Sequence, residues 1–168
     1  MKDDPTPIPL ILGERPPLAD AVKVKTIDSG LGRHHGARTK ARKAALDSLY
    51  DAEITGRDPL DLVDPGARAL TKELVEGVLT KQLEIDDAIG NALTGDWTLP
   101  RMPSIDRTLA RLATWELLYT DTKPSVAIAE AVALADEYST DASAAFLSSV
   151  LGSVLDNHQS DLTELASD

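Results

Sequence analysis

The chain has 168 residues, of which 42% are hydrophobic but only 4% aromatic, so a core of ordinary size must be built from Leu, Val, Ile and Ala, the mixture that favours helices. Cysteine is absent, which excludes disulfides, Cys-ligated zinc and a thiol nucleophile, and no apolar run approaches the roughly 18 residues that span a bilayer. The formal charge of -11 is uneven: residues 1–43 hold nine Lys or Arg against five Asp or Glu, and residues 44–168 hold eight against 23. An acidic body repels nucleic acid at long range. Nucleic-acid binding would therefore rest on the basic stretch GRHHGARTKARKAAL at 32–46, on a basic partner, or on both. The chain is expected to be a cytoplasmic protein.

Prolines at positions 5, 7, 9, 16 and 17, and no helical or strand period before about residue 36, predict a flexible Pro-rich tail over 1–35 and a helical domain over 36–168. A first helix is expected from Ala37 to Thr55, stopped by Gly56, with Ala41, Ala45, Leu49 and Ala52 on its apolar side. Arg38, Arg42 and Lys43 fall mostly on the other side. Asp64-Pro65 reads as an N-cap followed by a first-turn proline, opening a helix that carries Leu70, Leu74, Val75, Val78 and Leu79. Ile85, Ile89 and Leu93 continue a helical period beyond a joint near Thr80.

GDWTLPRMPS reads as a loop, after which Ser104 is expected to cap a helix bearing Ile105, Leu109, Leu112, Ala113 and Leu117. Pro124 opens another, and Ser143 is the expected cap of a last long helix with a wide stripe from Phe146 to Leu155. A short final helix is expected around Leu162. Trp97, Ile105 and Trp115 are assigned to packing. The pattern is all-α, six or seven helices in one bundle-like domain.

Catalytic signals are weak. His34, His35 and His158 are not spaced as helical metal ligands, and the chain has no GxxxxGK[ST], GxGxxG or GxSxG. Asp58 with Asp61, and Asp86 with Asp87, fit solvated surface better than a metal site. The reading is a binding protein, with no cofactor, rather than an enzyme.

Four segments in order, GARTKARKAALDSLYDAEITG, GDWTLPRMPSIDR, IDRTLARLATWELLY and VAIAEAVALADEYSTDASAAF, resemble the transcription antitermination factor NusB family over about residues 37–156, with the Trp97 segment most like actinobacterial members. The resemblance implies an all-helical fold of two packed sub-bundles. It also implies pairing with NusE, a small-subunit ribosomal protein, binding of boxA-type RNA in ribosomal RNA operon leaders, and action on RNA polymerase. Some relatives form homodimers that hide the RNA surface. The implied RNA-binding positions are Arg38, Lys40, Arg42 and Lys43 in the basic helix start, Tyr50, Asp106 and Phe146. Lys and Arg neutralise phosphates, a helix N-terminus adds backbone donors, and aromatics stack on unpaired bases. The family's F-x-N-G-x-L reads Phe146, Leu147, Ser148, Ser149, Val150, Leu151 here, with Ser149 where close helix approach would favour glycine. The alternative reading is a NusB-fold scaffold that binds only proteins. A link to ribosomal RNA cytosine methyltransferases is disfavoured by the missing cysteines and the lack of room for their catalytic domain.

Overall fold

Every regular element among the described residues, 36–168 of the computed structural model, is helical. The expected tail over 1–35 lies outside the described residues. In chain order the elements are α1 (Ala37–Thr55), α2 (Pro59–Leu62), α3 (Ala69–Thr80), α4 (Gln82–Ala92), a 3₁₀ turn (Leu99–Arg101), α5 (Ser104–Tyr119), α6 (Pro124–Tyr138) and α7 (Ser143–Ala166). The all-α expectation, with seven helices, is met.

α5 is the shared pillar. It packs against α1 and α3 on one side and against α4, α6 and α7 on the other, giving two sub-bundles around one core. Twelve of its sixteen residues are buried, so almost every face of it needs a partner. Leu46 of α1, Leu74 of α3, Ile85 and Ile89 of α4, Leu109 of α5, and Leu147 and Leu151 of α7 are all sealed from solvent. Each such side chain contributes about 1.5–3 kcal/mol relative to exposure, which is how a chain this poor in aromatics closes a core.

Local chemistry sets the boundaries. α1 stops where Gly56 takes a φ of 70° and returns its N–H to the Ala52 carbonyl at 2.8 Å, a left-handed cap that suits glycine. The cap-plus-proline signal at Asp64-Pro65 does not open a helix. Asp64 Oδ1 instead accepts the Gly66 N–H at 2.7 Å, because a glycine directly after the proline favours a turn over helix propagation. The same signal works at Asp58-Pro59, where Asp58 Oδ1 accepts the Leu60 N–H at 2.9 Å and begins α2. The joint near Thr80 is at Lys81, which ends α3 and precedes α4. Ser104 and Ser143 are the first residues of α5 and α7 rather than their caps, and neither Pro103 nor Ala142 before them makes a side-chain cap bond. The expected short helix near Leu162 is the end of an unbroken α7.

The loop before α5 is organised from within. Arg107, 8% exposed, donates to the carbonyls of Leu99 at 3.1 Å and Met102 at 3.3 Å, to Ser104 Oγ at 3.2 Å, and to the Glu53 carboxylate on α1. One guanidinium thus ties the 3₁₀ turn to α1 and α5. Ile105 and Trp115 pack as expected, whereas Trp97 is 46% exposed. Ser149 and Ser148 are exposed, so serine at the family's glycine position crowds no neighbouring helix.

Candidate nucleic-acid interface

The basic helix start divides into exposed and enclosed charges. Gly36 precedes α1 without a side-chain cap, and its carbonyl accepts the Lys40 N–H at 3.0 Å. Among the described residues no side chain caps the earlier first-turn amides, which stand at the positive end of the helix dipole. Arg38 and Lys40 are exposed beside them. Thr39 turns the other way, its hydroxyl donating to both oxygens of Glu130 on α6 at 3.1 and 2.9 Å.

Arg42 does not join the exposed set. It is 4% exposed, and its guanidinium forms a two-pronged pair with Glu116 of α5, Nε to Oε2 at 3.0 Å and Nη2 to Oε1 at 2.8 Å. Glu130 stands 3.9 Å from Nη1. Burial opposes this charge, but the hydrogen bond and charge of Glu116, with Glu130 behind it, outweigh burial and hold Arg42 above its ordinary value. Glu116 is itself 2% exposed. Of the expected RNA-binding positions, Arg42 has its donors facing a carboxylate inside the bundle, because α1 turns both Ala41 and Arg42 of its KARK sequence inward.

Lys43 is half-buried. Its ammonium holds both oxygens of Asp47, one turn on, at 2.6 and 2.7 Å, and sits 4.6 Å above the Tyr138 ring at the end of α6. Burial pushes the Asp47 carboxyl up despite Lys43. Burial, with Glu137 and Asp47 nearby, pushes the Tyr138 phenol up to about 12, so it stays neutral under the ammonium. Lys43 keeps its charge at the surface while resting on an aromatic face.

Tyr50, expected to stack on a base, is 1% exposed in the core. Asp106 is 2% exposed and accepts Ser139 Oγ at 2.5 Å and Ser143 Oγ at 2.8 Å. Ser143 Oγ in turn accepts the Thr140 N–H at 3.2 Å. The carboxylate, expected at the RNA surface, therefore lies buried as a latch that fastens the α6–α7 corner to the first turn of α5. Phe146 lies one turn into α7, half-buried, with its ring 5.0 Å from that of Trp97. Lys43 over Tyr138, the Asp106 latch on Ser139 and Ser143, and Phe146 all belong to the segment from the end of α6 into the first turn of α7 or contact it. Sequence reasoning named neither Glu116 nor Tyr138 as partners. Their only signal was an acid and an aromatic in otherwise apolar helix faces.

Burial pushes the Asp106 carboxyl up against the two serine hydrogen bonds. A raised carboxyl favours folding most below its unfolded value near 3.8, and that contribution is lost as pH rises through the folded value. Asp106→Asn keeps an acceptor without the buried charge. Relative to the parent, it should therefore fare better at pH 7 than at pH 4, whereas Asp106→Ala should lose about 2 kcal/mol at pH 7 by removing the shared acceptor of the buried Ser143 and half-buried Ser139 hydroxyls. Urea unfolding at both pH values checks this; an Asn variant with the same relative stability at each would exclude a raised carboxyl.

Among the described residues no group of three or more His, Asp or Glu could hold a metal ion, and no helix is long and apolar enough to cross a membrane.

The NusB family model matches residues 39–156, most of the chain and every residue of this geometry except Gly36 and Arg38. The chain belongs to the NusB family. It is 41% identical to the transcription antitermination protein NusB of Cutibacterium acnes over 143 residues, covering 80% of this chain and 55% of that protein. It is 48% identical to the NusB of Acidothermus cellulolyticus, covering 72% of this chain and 88% of that protein. The Thermotoga maritima NusB structure superposes with a TM-score of 0.64 at 29% identity, over 71% of this chain and 90% of that one. A crystal structure of antitermination factors NusB and NusE in complex with double-stranded RNA shares the fold, with a TM-score of 0.64 at 23% identity over 72% of this chain and 97% of that one. The NusB family is one of transcription antitermination proteins, not of enzymes.

Proposed function

We propose that this chain is an antitermination factor of the cytoplasm that pairs with NusE and binds boxA-type single-stranded RNA in ribosomal RNA operon leaders, working in the complex that lets RNA polymerase pass terminators. The observation that carries the reading is the pair of exposed cations, Arg38 and Lys40, at a helix start without a side-chain cap. RNA phosphates would be met by these two and by Lys43, and a base by the exposed edge of Phe146. Arg42, Tyr50 and Asp106 would act at one remove, by fixing α1 and the α6–α7 corner. Trp97 against Phe146 supports the same edge as an aromatic platform.

Two or three phosphate contacts, at a salt slope of about -0.7 each for single strands, give weak RNA binding by this chain alone. The rest of the chain is acidic, with a balance of -15 over residues 44–168. Tight binding is therefore expected only with a basic NusE-type partner. A second copy covering α1 would compete for the same cations. Fluorescence-anisotropy titration of a boxA-type RNA, with and without the partner and at two salt concentrations, tests this. Equal affinity with and without the partner would sink the cooperative reading. Absent RNA binding with the partner complex intact would favour a protein-only scaffold.

Arg38→Glu with Lys40→Glu is expected to weaken RNA binding by about tenfold or more and to flatten the salt slope by roughly 1.4. Both side chains are exposed, so unfolding free energy should change by less than about 0.5 kcal/mol. An unaltered salt slope would remove these two residues from the site.

A further inference from the structure

The family match ends at residue 156, but α7 does not. It continues to Ala166 as a helix in which every residue from Gln159 onward is exposed. The stripe that enters the core as Leu151 and Leu155 runs on at steps of four and three as His158, Leu162 and Leu165. These five positions stay on one face of a 3.6-residue helix. Leu162 is 53% and Leu165 74% exposed, so the apolar face leaves the bundle without a partner among the described residues.

We propose that residues 156–166 of α7 are a docking helix for a partner protein's basic amphipathic helix. Charge selects the occupant. Residues 124–168 hold eight Asp or Glu and no Lys or Arg. Asp161 borders the leucine stripe, Asp168 follows the end of the helix, and Asp156 and Glu164 lie on its other face. Glu164 and Asp168 also stand at the negative end of the helix dipole, where acids are unfavourable and a cation is favoured. A lone helix of about eleven residues is marginal in water, and here it grows from a core-anchored segment and presents a preformed face. A helix with leucines at the same spacing and Lys or Arg beside them would cover the apolar face and neutralise the acids together. A second copy of this chain would bring four like charges against four. Residues 1–35 carry five basic and five acidic residues and five prolines, a poor match to an acidic helix face. Nucleic acid is repelled by the same acids.

The probe is a synthetic Leu/Lys helical peptide about five turns long, titrated against the full chain by fluorescence anisotropy. Its control is a peptide of the same composition with the leucines scrambled off one face. The test variant is Leu162→Asp with Leu165→Asp, both side chains being exposed, and circular dichroism checks that α7 remains helical. The ordered peptide should bind with a micromolar dissociation constant and the scrambled one roughly tenfold more weakly. The double variant should lose roughly tenfold, a difference of about 1.4 kcal/mol. Because that variant adds negative charge, unchanged or tighter binding would mean charge attraction alone and overturn the proposal. Equal binding of the scrambled peptide would overturn it as well. So would a dimer in sedimentation velocity that Leu162→Asp with Leu165→Asp abolishes, by assigning the face to a second copy. None of these outcomes depends on RNA binding.

Discussion

Arg42→Ala should unfold far more easily than the parent, losing about 3–5 kcal/mol, because it leaves Glu116 charged and buried with its two-pronged donor gone. Thr122 Oγ1, at 3.4 Å from Glu116 Oε1, cannot replace a guanidinium. For a domain of this size the loss corresponds to a fall in Tm of roughly 10 °C. Removing both charges should be much milder: Arg42→Met combined with Glu116→Leu is expected to lie within about 1–2 kcal/mol of the parent, since well-packed apolar pairs often match a buried ion pair. A double-mutant cycle read by urea unfolding would then show strong coupling between the two positions. The result also separates two roles. Arg42→Ala of parental stability with weakened RNA binding would instead assign Arg42 to RNA and dismiss the Glu116 pair as a stabilising contact.

Gly77→Ala carries the second large effect. A Cβ at Gly77 of α3 would lie 2.0 Å from Cε2 of Trp115 on α5, so the indole must leave its seat between the two helices. Replacing a mid-helix glycine normally gains about 1 kcal/mol in helix propensity. Here overpacking of about 3 kcal/mol wins, for a net loss of roughly 2 kcal/mol. The sign should reverse once the ring is gone: in a Trp115→Ala background, Gly77→Ala should stabilise by about 1 kcal/mol. Thermal unfolding of the four proteins decides it. A loss of equal size in both backgrounds would mean that the indole is not what requires glycine.

Comparison of the elements shows which signals carry. The first helix was legible to its last residue, because steps of four, four and three among Ala41, Ala45, Leu49 and Ala52 are followed by a glycine that suits the left-handed cap. The start of α3 was not, because Asp64-Pro65 and Asp58-Pro59 are alike in sequence, and Gly66 after the first pair turns the chain before a helix can propagate. Ser104 and Ser143 look like caps for a sound reason, since serine favours that position. Their hydroxyls have other partners instead: Ser104 accepts from Arg107 one turn on in the same helix, and Ser143 donates to Asp106 of α5.

The candidate site was half legible. Composition alone located the basic segment, and it is at the surface at Arg38 and Lys40. Nothing in the local pattern distinguishes Arg42 from those two, and nothing in a list of aromatics separates Tyr50, sealed in the core, from Phe146 at its edge. The end of α7 shows the opposite case, where spacing is fully visible in the sequence but exposure is visible only once the rest of the bundle is in place.

The sequence by itself determined the helical class, most helix spans, the absence of thiol chemistry and the segregation of charge, because periodicity, cysteine count and net charge are properties of the chain read locally. The tertiary structure decided which cations remain available, which carboxylates are buried and which leucines lack a cover. Those depend on what each helix meets from far along the chain: Arg42 meets Glu116, Gly77 meets Trp115, Asp106 meets Ser139 and Ser143, and beyond residue 158 the face of α7 meets solvent.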